Sequence, residues 1–136
     1  TLLQVYIDSP ESFITRCEFI GGKLVYALRV DASEGFELCP ADNCSVTDQH
    51  NSSEKKMLRF EIITGYVDPI ISRYENFLHE QQIDIAGIEF ITDHAGCKWT
   101  YDVNVNTNYN AEAELRAGVN ARFRLAQYLK KELARC

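Results

Sequence analysis

The chain has 136 residues, of which 46 % are hydrophobic, and it carries a formal net charge of −6. This length fits one compact domain, residues 1–136, and is too short for two ordinary ones. The acidic balance argues against nucleic acids and anionic membranes as partners, because both attract basic surfaces. No apolar run approaches the length that spans a membrane.

The cysteines are odd in number and irregularly spaced: Cys17, Cys39, Cys44, Cys97 and Cys136. This pattern fits the reduced thiols of a cytoplasmic protein better than a disulfide framework, so we expect a cytoplasmic location. Cys39 and Cys44 could serve as half of a zinc site. A structural zinc site needs about four ligands, and no second Cys or His pair has a suitable spacing.

The first residues suggest that the chain continues upstream. Residues 2–7 are predicted to form a buried strand, and the sequence opens with Thr1 rather than with an initiator methionine. A native domain usually leads in with a polar segment. We therefore expect the chain to be a fragment of a longer protein.

A β-hairpin is predicted next, with arms at residues 14–20 and 23–30 joined by a Gly-Gly turn. Three basic side chains lie on it in an otherwise acidic protein: Arg16, Lys23 and Arg29. They indicate a candidate anion-binding surface. The alternative is that they are solvated strand charges that pair with Glu18 and Asp31.

Two later segments show helical patterns. Residues 56–82 are predicted to be helical with a break, and Asp68 is expected to cap the second part, which begins at Pro69. A last helix over residues 111–134 is expected to begin after Asn110. Its predicted core stripe consists of Leu115, Val119, Phe123, Ala126 and Leu129 or Leu133.

Residues 31–53 are rich in Ser, Asp, Asn and Gly, which predicts a long loop with a short strand at 36–38. We find no internal repeat and no linker that divides the chain. Together the elements predict an α+β fold, an antiparallel β-sheet with helices packed on one side.

A second hairpin is predicted from two β-rich arms, residues 88–92 and 97–104, and a Gly-containing turn at 93–96. Side chains alternate between the two faces of a strand. One predicted face of the second arm is polar and consists of Lys98, Thr100, Asp102 and Asn104. The other is the expected core face and consists of Trp99, Tyr101 and Val103.

The polar face of this hairpin is a candidate metal site. If Thr92 pairs with Cys97 across the turn, the aromatic side chains of the two arms form a dry layer. Glu89 then lies diagonal to Asp102, within reach of an ion that Asn104 also contacts. Three oxygen ligands on one face suggest Mg²⁺. The alternative is that these carboxylates only make the surface soluble.

The order of these parts resembles the C-terminal half of an ATP-grasp domain: a hinge-like strand, a basic hairpin, a helix pair, an acidic residue after Gly-Ile, then Asp-x-Asn, an Asn-rich loop and a terminal helix. The resemblance spans nearly the whole chain. Within that superfamily the chain is most similar to the ligases related to the ribosomal-protein glutamate ligase and bacterial glutathione synthetase.

The resemblance implies roles for particular residues. The implied metal ligands are Glu89 in Gly-Ile-Glu-Phe, and Asp102 and Asn104 in Tyr-Asp-Val-Asn. The implied catalytic residues, which would face the triphosphate or acyl-phosphate, are Arg16 and Arg29. The implied adenine-binding hinge is Gln4, Val5, Tyr6 and Ile7. Relatives more often have Glu in place of Asp102, and an acid or Lys in place of Gln4 and Val5.

The activity that the resemblance implies is ligation of a carboxylate to an amine or a thiol. ATP first phosphorylates the carboxylate, and the amine or thiol then attacks the acyl-phosphate. The implied cofactors are ATP and two Mg²⁺ ions, for which Mn²⁺ can substitute. The upstream half of such an enzyme supplies the lysines and the flexible loop that cover the phosphates, so we expect these 136 residues alone not to turn over ATP.

Two other functions are left open by the sequence. The chain could be a degenerate ATP-grasp module that binds nucleotide or a protein partner without catalysis, as the departures at Val5 and Asp102 suggest. It could also be a plain α+β interaction domain without a ligand. The acceptor substrate is not revealed, and assembly into a homo-oligomer is left open as well.

Overall fold

A computed structural model of the chain describes residues 3–33 and 59–135. The elements in chain order are β1 (Phe13–Ile20), β2 (Lys23–Asp31), β3 (Phe60–Ile63), α1 (Pro69–Glu80), β4 (Ile85–Thr92), β5 (Lys98–Asn104), α2 (Ala111–Ala117) and α3 (Ala121–Leu133). The strands form one antiparallel sheet in the order β3-β2-β1-β4-β5. The α+β class and the antiparallel sheet are therefore confirmed. The short strand predicted at 36–38 and the Cys39–Cys44 pair lie outside the described residues.

The first hairpin forms as predicted. Ile20 pairs with Lys23 across the turn, and the register of β1 and β2 shifts once, between Glu18 and Phe19. Gly21 and Gly22 have φ angles of 62° and 66°, which only glycine adopts without a steric cost. The turn that the Gly-Gly pair predicted is thus built from two left-handed residues.

Helices cover both faces of the sheet rather than one. The first face carries α1, and its buried cluster comprises Cys17, Phe19, Ala27, Ile70, Tyr74, Leu78, Ala86, Ile88 and Phe90. The opposite face carries the start of α3, and its buried cluster comprises Ile20, Tyr26, Leu28, Tyr109 and Ala121. We call these the α1 face and the α3 face. Apolar positions on both faces of β1 and β2 explain why neither face is left to water.

The region predicted as a broken helix over 56–82 is helical only in its second part. Asp68 caps α1 by accepting a hydrogen bond from the Ile70 N–H at 2.9 Å, as the sequence predicted. Residues 60–63, however, form β3 along the outer edge of β2. Ile62 and Ile63 are apolar and β-branched, and they gain strand pairing and partial burial at this edge. This gain outweighs the short helical pattern in the sequence.

The predicted last helix is two helices. Asn110 caps α2 as expected, but Gly118 then ends it in the left-handed conformation at φ 67°, and Asn120 caps α3. Because the break changes which residues face the sheet, the predicted core stripe is wrong except at Val119, which packs against the buried cluster of the α3 face. Leu115 is 82 % exposed and Phe123 is 60 % exposed.

The strand predicted for residues 2–7 is absent over its described part, residues 3–7. Leu3, Val5 and Tyr6 are more than four-fifths exposed. A strand is held by hydrogen bonds to a neighbour, and the five-stranded sheet of the described residues does not include this segment. None of the described helices is long and apolar enough to cross a membrane.

The Gly-Gly turn permits a test of the packing of α3. A Cβ added at Gly21 would lie 2.9 Å from Cε2 of Tyr128, whereas one added at Gly22 would have no atom within 4 Å. Gly22→Ala should therefore cost only the left-handed strain of about 1–2 kcal/mol. Gly21→Ala should cost about 1–3 kcal/mol more, because it also overpacks Tyr128. Urea unfolding followed by the fluorescence of Trp99 measures both, and equal losses would contradict the close contact.

Candidate functional site

The second hairpin contains a β-bulge that the sequence did not reveal. Thr92 pairs with Lys98 rather than with Cys97, and the register shifts between Glu89 and Phe90, so that Glu89 lies directly opposite Asp102. One residue of β5 is thereby left without a partner, as in a β-bulge. The strict alternation predicted along this arm, and the diagonal placement of Glu89 and Asp102, are therefore wrong.

The bulge redistributes the side chains of β5 between the two faces. The Thr100 hydroxyl lies 2.6 Å from the Tyr74 hydroxyl of α1, whereas the Tyr101 hydroxyl donates to Oε2 of Glu89 at 2.8 Å. Trp99 is 49 % exposed and donates from Nε1 to Asp93 at 2.8 Å. The dry aromatic layer predicted for Trp99 and Tyr101 does not form. Tyr101 instead supports the acidic residue that the prediction placed on the opposite face.

Three adjacent strands together place charged residues side by side on the α3 face. Arg16 of β1 pairs with Glu89 of β4, and Glu89 pairs with Asp102 of β5. In the neighbouring row, Glu18 pairs with Gly87, and Gly87 pairs with Asn104. We call these six positions the strand grid: Arg16, Glu89, Asp102, Glu18, Gly87 and Asn104. Neighbouring strands are about 4.8 Å apart, so Asp102 lies within side-chain reach of Glu89.

The guanidinium group of Arg16 is the centre of the strand grid. Its Nε donates to Oε1 of Glu18 at 2.6 Å and its Nη1 donates to Oε1 of Glu89 at 3.1 Å. Its Nη2 donates to the hydroxyl of Thr107, which also lies 2.9 and 2.7 Å from the two carboxylate oxygens of Glu18. Both carboxylates are almost fully buried, with Glu18 1 % and Glu89 3 % exposed.

A glycine provides the space for this arrangement. A Cβ added at Gly87 would lie 2.9 Å from Oγ1 of Thr107 and about as close to two nitrogens of Arg16, at 3.0 and 3.1 Å. Any larger residue would therefore displace the guanidinium or the hydroxyl. Two residues of the Gly-Ile-Glu sequence therefore contribute to the site. Glu89 supplies a carboxylate, and Gly87, which has no Cβ, leaves space for the guanidinium.

The sequence did not single out Glu18 or Thr107. Glu18 was considered only as the partner of a solvated strand charge, yet burial raises its pKa above the usual range and Arg16 offsets only part of that rise. One signal was available, since Arg16 and Glu18 alternate on the same face as the apolar Ile14 and Ile20. Charged residues between apolar ones on one strand face are buried, and buried charges need partners.

The structure does not bring every predicted site residue to the strand grid. Arg29 pairs with Thr15 and therefore lies on the α1 face, where its guanidinium carbon is 4.7 Å from the centroid of the Phe13 ring. The predicted hinge lies outside the sheet: Gln4, Val5 and Tyr6 are exposed, and Ile7 is half-buried. The segment passes near the β4–β5 turn, since Asp8 lies 3.2 Å from Nε2 of His94.

The strand grid contains side-chain oxygens of the kinds that hard cations bind. Glu89, Asp102 and Asn104 offer carboxylate and amide oxygens, the ligands that Mg²⁺ prefers. Among the described residues no group of three or more His, Cys, Asp or Glu side chains could hold a metal ion. A cation at the grid would therefore need further oxygens from a ligand or water, as is usual for Mg²⁺ bound with phosphates.

Comparison with solved structures identifies the fold. The ATP-grasp ligase PsnB, complexed with a phosphomimetic variant of minimal precursor, Mg and ADP, aligns with a TM-score of 0.60 and 16 % identity, over 90 % of this chain and 32 % of that chain. PsnB complexed with minimal precursor aligns with a TM-score of 0.55 and 17 % identity, over 86 % of this chain and 32 % of that one.

The chain has an ATP-grasp-like fold. No protein-family model matches the sequence, and no curated protein matches it either. The chain spans about a third of the length of these ATP-grasp ligases. The resemblance read from the sequence is therefore confirmed at the level of the fold.

Two tyrosines near the grid test the hydrogen bonding described above. Tyr101 donates to Glu89, whereas the buried Tyr109 hydroxyl has no hydrogen-bond partner among the described residues. Burial, with the charges of Glu18 and Glu114, raises the pKa of Tyr109 to about 12. Tyr101→Phe should cost about 1–3 kcal/mol of unfolding free energy because Glu89 loses a donor. Tyr109→Phe should not lower it, because a buried hydroxyl without a partner loses its hydration in the folded protein and forms no bond in return.

Denaturant unfolding of both variants beside the unmodified chain measures this difference. A loss on Tyr109→Phe as large as that on Tyr101→Phe would show that the account of the two hydroxyls is wrong.

Proposed function

We propose that this chain is the nucleotide- and Mg²⁺-binding part of an ATP-dependent ligase that joins a carboxylate to an amine or a thiol. The observation that carries the proposal is the row Arg16, Glu89 and Asp102 on three adjacent strands. In this row the positively charged guanidinium of Arg16 lies next to two acids on the same face, beside the amide of Asn104. A triphosphate with a divalent cation needs both kinds of charge close together.

Two ligands of the proposed metal site are held in place by the chain itself. Glu89 uses one lone pair on each carboxylate oxygen for Arg16 and Tyr101. A carboxylate offers about four lone-pair positions, so Glu89 can still bind a cation. The amide oxygen of Asn104 accepts a hydrogen bond from the Asn106 N–H at 2.8 Å, which fixes the orientation of the amide. When bound, Mg²⁺ would neutralise the negative charge on the phosphates.

The proposed reaction has two steps. A carboxylate oxygen of the substrate forms a bond to the γ-phosphorus, and ADP leaves. The amine or thiol then attacks the acyl carbon and gives up a proton, and inorganic phosphate leaves with the electrons of the C–O bond and takes up one proton. Arg16 would stabilise the charge that spreads over the phosphoryl oxygens. No protein nucleophile takes part in either step.

The PsnB structures support this proposal, because they are of an ATP-grasp ligase in complex with Mg and ADP. The proposed roles of Arg29 and of the hinge require that the rest of the enzyme covers these residues. The hinge consists of Gln4, Val5, Tyr6 and Ile7. Val5 is 85 % exposed and Tyr6 is 81 % exposed. An adenine bound on that segment would need further apolar residues from outside the described chain.

A second candidate function is a degenerate module that binds nucleotide or a protein partner without catalysis. The observation that favours it is that the Arg16 guanidinium already contacts three side chains of its own chain. In that case calorimetry would detect binding of ATP with Mg²⁺, while the complete protein would release neither ADP nor phosphate.

Substitution of the metal ligands tests the proposed ligase. In the complete protein that contains this chain, Asp102→Ala combined with Asn104→Ala should lower the rate of ADP formation at least about 10²–10³-fold, the loss typical of a removed electrostatic contact. Glu112→Gln is a matched control, since Glu112 is exposed and pairs with Arg116 on the same helix, α2. A coupled assay for ADP measures all three proteins. Turnover of the double variant close to that of the control would refute the proposal.

A further inference from the structure

The remaining feature of the site is the pair that holds Arg16 from behind. We infer that Glu18 and Thr107 are positioning residues for Arg16, and that the loop after β5 thereby sets how this arginine meets the phosphates of ATP. The inference rests on the proposed function. Two residues outside the metal-ligand set thus determine nucleotide affinity through Arg16. One of them, Thr107, lies in a loop.

The contacts form a closed triangle. Arg16 donates from Nε to Glu18 at 2.6 Å and from Nη2 to the Thr107 hydroxyl, and that hydroxyl lies 2.7 Å from Oε2 of Glu18. Each of the three side chains therefore contacts the other two. A planar guanidinium bonded along one edge in this way has a fixed plane as well as a fixed position.

The triangle leaves Arg16 able to bind a ligand. A guanidinium carries five N–H donors, and the contacts to Glu18, Glu89 and Thr107 use three of them. The contacts with the described residues leave two donors, which is enough for a bidentate contact to a phosphate group. The contacts within the chain thus orient the arginine without using up its donors.

The burial of Glu18 argues for a role beyond stability. Glu18 is 1 % exposed, and a buried ion pair is on average no more stabilising than well-packed apolar residues. Stability alone therefore does not account for a charged pair at this place, whereas a need to hold the guanidinium in position does.

A second buried acid on the same face shows the contrast. Glu114 of α2 accepts hydrogen bonds from the Tyr26 hydroxyl at 3.0 Å and from the Ala121 N–H at 3.1 Å. It connects α2, β2 and the start of α3, and its two contacts serve the fold alone. Glu114 is therefore the matched control for Glu18.

Thr107 connects the loop after β5 to Arg16. Thr107 lies between the end of β5 at Asn104 and the cap of α2 at Asn110. This loop follows directly on two proposed metal ligands. A change in the loop is therefore transmitted to Arg16 through one hydroxyl, and the loop influences both the cation and the arginine.

A double-mutant cycle tests the inference. Calorimetry gives the dissociation constant of ATP with Mg²⁺ for Thr107→Val and Thr107→Ser, each in the complete protein and in an Arg16→Lys background. Thr107→Val, which keeps the shape but loses the hydroxyl, should weaken binding about tenfold, the value of one hydrogen bond to a charged group. Thr107→Ser should bind like the unmodified protein. In the Arg16→Lys background Thr107→Val should have no further effect.

Two more variants separate positioning from folding. Glu18→Gln should weaken binding of ATP with Mg²⁺, whereas Glu114→Gln should lower the melting temperature and leave the dissociation constant unchanged. Should Glu18→Gln fail to fold, the Thr107 cycle still decides the question.

The results of these experiments separate a failure of this inference from a failure of the proposed function. Equal losses on Thr107→Val in both backgrounds, or normal binding by Thr107→Val, would overturn this inference and leave the proposed function standing. Failure of the unmodified complete protein to bind ATP with Mg²⁺ would overturn the proposed function and this inference with it.

Discussion

One guanidinium group between two buried carboxylates is the constraint on which this structure depends. Glu18 and Glu89 are both almost fully buried, and a buried charge is unfavourable unless it is paired and hydrogen-bonded. Arg16 contacts both of them. The guanidinium passes over Gly87, where a side chain would collide with it, and its Nη2 donates a third hydrogen bond to the hydroxyl of Thr107. The bulge in β5 then aligns Asp102 with this group.

The two faces of the sheet serve different purposes. The α1 face is a conventional apolar core, in which Phe19 and Phe90 of the sheet pack against Tyr74 on the inner side of α1. The α3 face is divided between a smaller apolar cluster and the strand grid. A rigid sheet backed by a core holds charged side chains more precisely than loops do. This division explains how a short chain can carry a charged site without losing its stability.

The sequence predicted those parts of the fold that depend on local signals. The Gly-Gly turn, the Asp68 cap and the Asn110 cap all occur as expected, because each involves only neighbouring residues. A helix was predicted where β3 forms, because β3 depends on pairing with the distant strand β2. The break at Gly118 was missed although its signals are local, namely a glycine that ends α2 and the cap Asn120 that begins α3. Glu89, Asp102 and Asn104 do lie on one face, but through a bulge that no local pattern near Tyr101 indicated. Thr107 was missed because its role arises only where β1 and the loop meet, whereas Glu18 was missed although its place between apolar residues on one strand face indicated that it is buried.

The proposed function requires the strand grid to bind the phosphates of a nucleotide together with a divalent cation. Amide NMR of the ¹⁵N-labelled chain with ADP and paramagnetic Mn²⁺, compared with ADP and Mg²⁺, tests it most directly, because Mn²⁺ broadens only the signals near it. The account predicts that Glu89, Asp102 and Asn104 lose intensity first, while α1-face residues such as Leu78 keep theirs. Broadening that centres elsewhere, or none at concentrations where ADP binds, would contradict it.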